Sequence, residues 1–254
     1  MVGAARVVAP ARRDRGRLMR LTVLGACGAW PSPGAACSGF LVEHDGFRLV
    51  LDLGYATMPR LPSPETVDAV IISHGHPDHC ADLNPLLRSR SLRDSPAPPL
   101  PVYAPPGALD AVLALDRPRM LDYDLRPFEP AVGPFRVETR PLPHWVPNAG
   151  IRLTAGGATL AYTGDTGPSP EIVTLARGAD LLIAEASYVD EVPEDSRAYL
   201  SSARQAGRDA AAAGAGRLLL THLMPGTPPE AAVAAAGFPG PVEVARAGAV
   251  VLVE

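Results

Sequence analysis

A chain of 254 residues with 47 % hydrophobic and 20 % charged residues carries enough apolar material for a sizeable core, which excludes a disordered or linker protein. No run of about 18 apolar residues occurs, so a transmembrane helix is not expected. The formal net charge is −4 and all 23 basic residues are arginine, a composition that argues against broad electrostatic capture of nucleic acid.

The chain starts with an arginine-rich arm. Arg6, Arg12, Arg13, Arg15, Arg17 and Arg20 face a single acid, Asp14, and the remainder holds 17 arginines against 26 acidic residues. Residues 1–18 read as a disordered extension, and residues 19–254 as one domain. The arm's charges follow its short apolar stretch, which is not the order of a secretory signal. Strands are expected at 20–25, 40–43 and 47–51, the last two joined by His44-Asp45-Gly46. Asp-Gly tolerates positive φ and signals a hairpin, with His44 at its surface. Ala69 to Ser73 is an apolar, β-branched run that fits a buried strand. A helix is expected over 79–92, a strand over 101–104 and a helix over 107–115.

The second half repeats the mixture. Strands are expected at 135–139, 150–154, 159–163, 181–184, 217–221, 242–245 and 249–253, with helices at 170–177, 202–213 and 228–236. Two mixed halves without a linker predict an α/β fold, an αββα sandwich of two mixed β-sheets with helices on the outer faces.

The chemistry concentrates in Ser73-His74-Gly75-His76-Pro77-Asp78-His79. Three histidines and an aspartate fall within six residues, between a buried strand and a helix. Gly75 and Pro77 keep the loop tight, and imidazole and carboxylate are ligands that zinc accepts. Three further candidates each follow an apolar strand: His144, Asp165 within Thr163-Gly164-Asp165-Thr166, and His222 after Thr221. Seven ligands exceed the four of a closed structural zinc site, so two divalent ions with open positions are expected, Zn²⁺ first and Mn²⁺, Fe²⁺ or cobalt as alternatives. Cys27, Cys37 and Cys80 form no CxxC pair. Their odd number and irregular spacing give no disulfide framework, so a reducing cytoplasm is expected, and Cys80 reads as a small apolar packing residue.

The order HxHxDH, a later His, an Asp within GDT and a His within TH resembles the metallo-β-lactamase superfamily, over roughly Leu21 to Val253. The resemblance implies that His74, His76 and His144 hold one metal, that Asp78, His79 and His222 hold the other, and that Asp165 bridges them. It also makes Asp52, in Leu51-Asp52-Leu53-Gly54, a strand-end support for the ligand loop. Two ions about 3.5–4 Å apart share a hydroxide formed from water at neutral pH, and that hydroxide would be the nucleophile. Asp78 would accept a hydrogen bond from it.

Within the superfamily the chain resembles the phosphodiesterase, ribonuclease Z-like branch. The cues are Leu21 to Gly25, Tyr162 to Thr166, Leu182 to Ser187, and Ser202 to Gly207 leading to Thr221-His222. Two histidines of that branch are replaced, one by Leu200 beside Tyr199 and one by Ala184. Tyr199 or water then supplies the leaving-group proton, or the substrate leaves easily, because loss of a general acid costs a factor of about 10²–10⁴ for a poor leaving group. Only twenty residues separate His144 from Asp165, too few for a tRNA-binding arm. A small-molecule substrate such as a cyclic nucleotide is therefore expected, with no tRNA and no membrane, and with a homodimer as the common form if the chain self-associates. The alternatives are a carboxylic ester, lactone or thioester hydrolase, with Trp145 and Tyr199 lining an apolar pocket, and a weakly active metal-binding regulatory protein.

Overall fold

The computed structural model describes residues 18–254, so the extension expected over 1–18 lies outside the described residues except for Leu18. The first half comprises β1 (Met19–Gly25), β2 (Gly39–His44), β3 (Phe47–Leu53), β4 (Ala69–Ile71), α1 (Pro77–Cys80), α2 (Leu83–Ser91), β5 (Leu100–Tyr103), α3 (Asp110–Leu113), β6 (Tyr123–Arg126) and β7 (Ala131–Val132). The second half comprises β8 (Phe135–Leu142), β9 (Asn148–Ala155), β10 (Ala158–Tyr162), α4 (Pro170–Ala176), β11 (Leu181–Glu185), α5 (Ala203–Ala213), β12 (Leu218–Thr221), α6 (Pro229–Ala236), β13 (Val242–Val244) and β14 (Val250–Val253).

Period-two alternation decides the layers. Met19, Leu21 and Val23 of β1 face one way and Leu24 the other, while Leu49 and Leu51 of β3 face away from Val50. Strands apolar on both faces need cover on both. Two seven-stranded sheets supply one cover for each other, in the orders β14-β1-β2-β3-β4-β5-β6 and β13-β12-β11-β10-β9-β8-β7. Between them lies a core that includes Phe40, Phe135, Ile151, Tyr162 and Ile183. Outside the first sheet, Leu83, Leu86 and Leu87 of α2 pack on Val50 and Val70; outside the second, Leu175, Ala206, Ala210 and Ala232 pack on Leu182 and Leu220. Both sheets are mixed, antiparallel over one run of strands and parallel over the other. The result is the expected αββα sandwich. No helix among the described residues is long and apolar enough to cross a membrane.

Several local expectations are corrected. The helix expected over 79–92 is broken at Asp82, whose amide donates to the Leu53 carbonyl and whose carboxylate accepts the Met58 amide, each at 2.8 Å. The helix expected over 107–115 shrinks to the single turn of α3. β6 and β7 were not expected; both are short edge strands, with exposed Tyr123 and Leu125 in β6, and lack the burial that makes periodicity visible. His44 is not a surface residue. The Asp45-Gly46 turn forms with both φ positive, at 52° and 81°, but His44 ends β2 and is only 6 % exposed. Its Nδ1 lies 3.2 Å from the Leu18 carbonyl oxygen and its ring 6.1 Å from that of Phe135.

Helices α5 and α6 meet backbone to backbone, because a Cβ at Gly207 would stand 1.8 Å from the carbonyl oxygen of Ala236. Gly207→Ala is therefore expected to destabilise the protein by about 1–3 kcal/mol through overpacking, read as a lower thermal midpoint. An unchanged midpoint would contradict this close approach.

Candidate metal centre

Each candidate ligand lies just past the end of a strand. The loop after β4 carries His74 and His76 into α1, which holds Asp78 and His79; His144 follows β8, Asp165 follows β10 and His222 follows β12. Gly75 lets this loop press against Ala108, since a Cβ there would stand 2.4 Å from the Ala108 carbonyl oxygen. The structure brings all seven candidates together in two groups, His74, His76, His144 and Asp165, and Asp78, His79, Asp165 and His222. Within each group the donor atoms lie within 4.8 Å of one another, and Asp165 is common to both. Asp165 Oδ1 is 3.1 Å from His79 Nε2, and its Oδ2 is 3.2 Å from His222 Nε2 and 3.9 Å from both His74 Nε2 and His144 Nε2.

The imidazoles are oriented from behind. His79 Nδ1 donates to Asp52 Oδ2 at 2.7 Å, and His144 Nδ1 donates to the Tyr199 carbonyl at 2.9 Å. Ser73 Oγ gives its own proton to Asp52, so it accepts from His74 Nδ1 at 3.0 Å. Ser187 Oγ gives its proton to Glu185 and in the same way accepts from His222 Nδ1 at 2.8 Å. Four of the five imidazoles thus hold a proton on Nδ1 and turn Nε2 inward. His76 is the exception, with its Nδ1 facing His144 Nε2 at 2.9 Å.

Asp52 is the hub behind this arrangement. The pairing of β2 with β3 shifts between Gly39↔Leu53 and Phe40↔Leu51, so Asp52 is an extra, unpaired residue with φ +57°. A bulge of this kind re-aims a side chain, and aspartate tolerates the left-handed region. The carboxylate is fully buried and accepts from Ser73 N, Ser73 Oγ, His79 Nδ1 and Tyr162 Oη, each at 2.7 Å. Glu185 plays a similar part on the other side, accepting from the amides of Thr166 and Ser201 and from Ser187 Oγ. Ser73, Ser187 and Tyr162 were not singled out as site residues by sequence. Ser73 adjoins a candidate ligand and Tyr162 ends a strand that leads to one, while Ser187 was marked only by its place in the Leu182 to Ser187 segment.

The donor set fits divalent cations. His74 Nε2, His79 Nε2 and Asp165 Oδ1 are buried, yet they make no hydrogen bond among the described residues, although the last two are only 3.1 Å apart. Orphaned buried lone pairs of this kind are costly unless something else binds them. Burial holds the pKa of His74, His76 and His144 below the ordinary imidazole range, so they are neutral donors. Burial also opposes a proton on His79 and His222, but Asp165 outweighs it and raises both. Against the effect of burial, His222 holds Asp78 ionised, and His222 with His79 holds Asp165 ionised. The thiols are not part of this chemistry. Burial pushes Cys37 and Cys80 up to about 12, and all three cysteines are free.

The centre opens into a cavity of 460 Å³, within the range of small-molecule sites. Beyond the ligands its lining includes Ala29, Pro77, Trp145, Ser187, Tyr188, Ser196, Leu200 and Met224, with no arginine among the described residues. Tyr199 meets the site through its backbone carbonyl, while its ring lies against Trp145. Leu200, where the resemblance implied a histidine, does line the cavity.

Residues 50–223 match the family model of the β-lactamase superfamily domain. The chain is 32 % identical over 213 residues to the probable metallo-hydrolase YhfI of Bacillus subtilis, covering 81 % of this chain and 87 % of YhfI. The crystal structure of YhfI superposes with a TM-score of 0.84 at 30 % identity, covering 93 % of this chain and 99 % of that one. Ribonuclease Z of Mycobacterium bovis is 28 % identical over 267 residues, 89 % of this chain and 95 % of the enzyme. A diphosphatase from the PhnP family shares the fold, with a TM-score of 0.72 at 18 % identity over 92 % of this chain and 97 % of its own.

Asp52→Asn keeps the shape and tolerates the positive φ but removes the charge behind His79. Supports of this kind contribute about 10–100-fold to metal affinity, and a loss of that size is expected in chelator competition. Wild-type affinity in the variant would contradict the role given to Asp52.

Proposed function

Because this chain belongs to the metallo-β-lactamase superfamily, in its ribonuclease Z-like branch, we propose that it is a two-cation phosphodiesterase acting on a small phosphodiester such as a cyclic nucleotide. The observation that carries the reading is the position of Asp165, shared by two ligand groups whose donors lie within 4.8 Å of one another. When bound, a pair of divalent cations supplies an acidified water near neutral pH and a Lewis acid for the oxygen on which charge develops. His74, His76 and His144 would hold one cation, Asp78, His79 and His222 the other, and Asp165 both.

The remaining steps belong to the protein. Asp78, kept ionised by His222, accepts a hydrogen bond from the attacking water and aims it. The Nδ1 bonds of four imidazoles hold the ligands in place, so little reorganisation accompanies the reaction. Leaving-group protonation has no histidine to serve it, since Leu200 stands at that face of the cavity. The proton comes from Tyr199 or from water, or the substrate has a good leaving group.

Substrate size follows from the rim. A polyanion such as tRNA needs many cationic contacts, and none of the described residues lining the cavity is an arginine. β9 and β10 form a short hairpin between His144 and Asp165, with no inserted arm. The relatives named ribonuclease Z and diphosphatase are both named for activities at phosphorus, which supports a phosphoryl substrate. The apolar rim made by Trp145, Leu200 and Met224 favours a second reading, hydrolysis of a carboxylic ester, lactone or thioester.

Bis(p-nitrophenyl) phosphate, cyclic AMP and a lactone panel, each assayed with and without chelator, separate the readings. Chelator-sensitive turnover of the diesters is expected, and turnover of lactones alone would overturn the phosphodiester reading. Leu200→His is expected to speed cleavage of cyclic AMP by about tenfold or more, as a new general acid, while leaving the activated p-nitrophenyl ester little changed. Equal effects on both would show that proton supply is not limiting.

A further inference from the structure

The cavity has an asymmetric wall. His144 is followed directly by Trp145, whose indole lines the cavity and is 50 % exposed. The ring lies 5.1 Å from the His144 imidazole and 5.2 Å from the Tyr199 ring, the latter tilted by 33°. The hydrogen bond from His144 Nδ1 to the Tyr199 carbonyl joins the two segments that carry these aromatic rings. One interaction therefore orients a ligand and fixes an indole at a set distance from the reacting centre. A large aromatic surface left half open beside a polar centre is uncovered apolar area, and its flat π-face suits another flat ring.

The rest of the wall narrows what that ring is. No arginine is among the described residues lining the cavity, so the charge compensation that these residues offer lies at the cation centre, and an uncharged second part of the substrate suits the rest of the wall. No amide side chain is among the described residues lining the cavity, and with Ser187 Oγ engaged by Glu185 and His222 the side-chain hydroxyls left are those of Ser196 and Tyr188. Recognition through a face, with little reading of donor and acceptor edges, is how aromatic shelves hold nucleobases irrespective of sequence.

We infer that the Trp145–Tyr199 pair is a stacking shelf for the nucleobase of a nucleoside phosphodiester, and that it discriminates weakly among bases. This rests on the phosphodiesterase reading and adds to it the residues that hold the base. The indole stacks on the base, Tyr199 backs the indole, and the phosphate reaches the cation centre across one sugar.

The test compares two diesters with the same leaving group, thymidine 5′-(p-nitrophenyl phosphate) and methyl p-nitrophenyl phosphate. In Trp145→Ala, kcat/KM for the nucleoside ester is expected to fall about tenfold, within the range of base stacking on an aromatic side chain, mainly through KM. The methyl ester is expected to change less than about twofold, and Trp145→Phe to recover most of the loss. A second readout needs no turnover. In metal-loaded Trp30→Phe protein, where Trp145 is the remaining tryptophan, AMP is expected to quench fluorescence and ribose 5-phosphate is not. An equal fall for both esters, no fall for either, or no quenching by AMP would overturn the shelf while leaving the phosphodiesterase reading intact. Quenching by AMP without hydrolysis of either ester would remove that reading and leave the shelf as a base-binding site.

Discussion

The centre depends on where five imidazoles keep their protons. A buried histidine can offer a lone pair from either ring nitrogen, and a loop carrying three of them has no intrinsic preference. Here four Nδ1 protons are taken by oxygen acceptors, Asp52, Ser73, Ser187 and the Tyr199 carbonyl, and the Nε2 atoms are turned toward one another and toward Asp165. Such an arrangement concentrates imidazole nitrogens and carboxylate charge in a space where His74 Nε2, His79 Nε2 and Asp165 Oδ1 have no hydrogen bond among the described residues. Buried groups in that condition are destabilising unless cations complete them. Metal binding and the integrity of this region are therefore one energetic question.

The two sheets contribute unequally. The first sheet supplies the dense ligand loop after β4 and, through the Asp52 bulge in β3, the carboxylate that braces it. The second sheet supplies single ligands from the ends of β8, β10 and β12, with Glu185 at the end of β11 tying the Asp165 loop to His222 through Ser187. Tyr162 crosses the interface. It rises from β10 to donate to Asp52, and its ring packs edge-on against Phe40 at 5.3 Å. Both ligand groups draw residues from both sheets, so the packing of one sheet on the other sets how the ligands meet within each group, and core substitutions near Phe40 would act on the centre through this contact.

The fold class and the seven candidate ligands that the structure brings together were readable in the sequence because their signals are local and dense. The strands follow alternating apolar residues, and the histidine loop compresses four candidate donors into six positions. What was hidden is what needs three dimensions. The Asp52 bulge exists only in the pairing of β2 with β3, and the Ser187–Glu185 brace arises only once β11 lies beside β12. The helix expected over 79–92 looked continuous because Asp82 is chemically compatible with a helix; its bonds to Leu53 and Met58, remote in sequence, break it. His44 looked like a turn residue because its neighbours make a turn, yet the hairpin sets it beside Phe135. Strands β6 and β7 have too little buried surface to leave a pattern.

Counting bound cations tests the central claim most directly. Protein saturated with zinc or manganese, freed of loose ions and analysed for metal is expected to hold two ions per chain, and Asp165→Ala to hold no more than one at the same free concentration while keeping its fold. A wild-type chain that retains none under these conditions, or an Asp165→Ala variant that retains both as tightly, would contradict the account of a shared, carboxylate-linked pair.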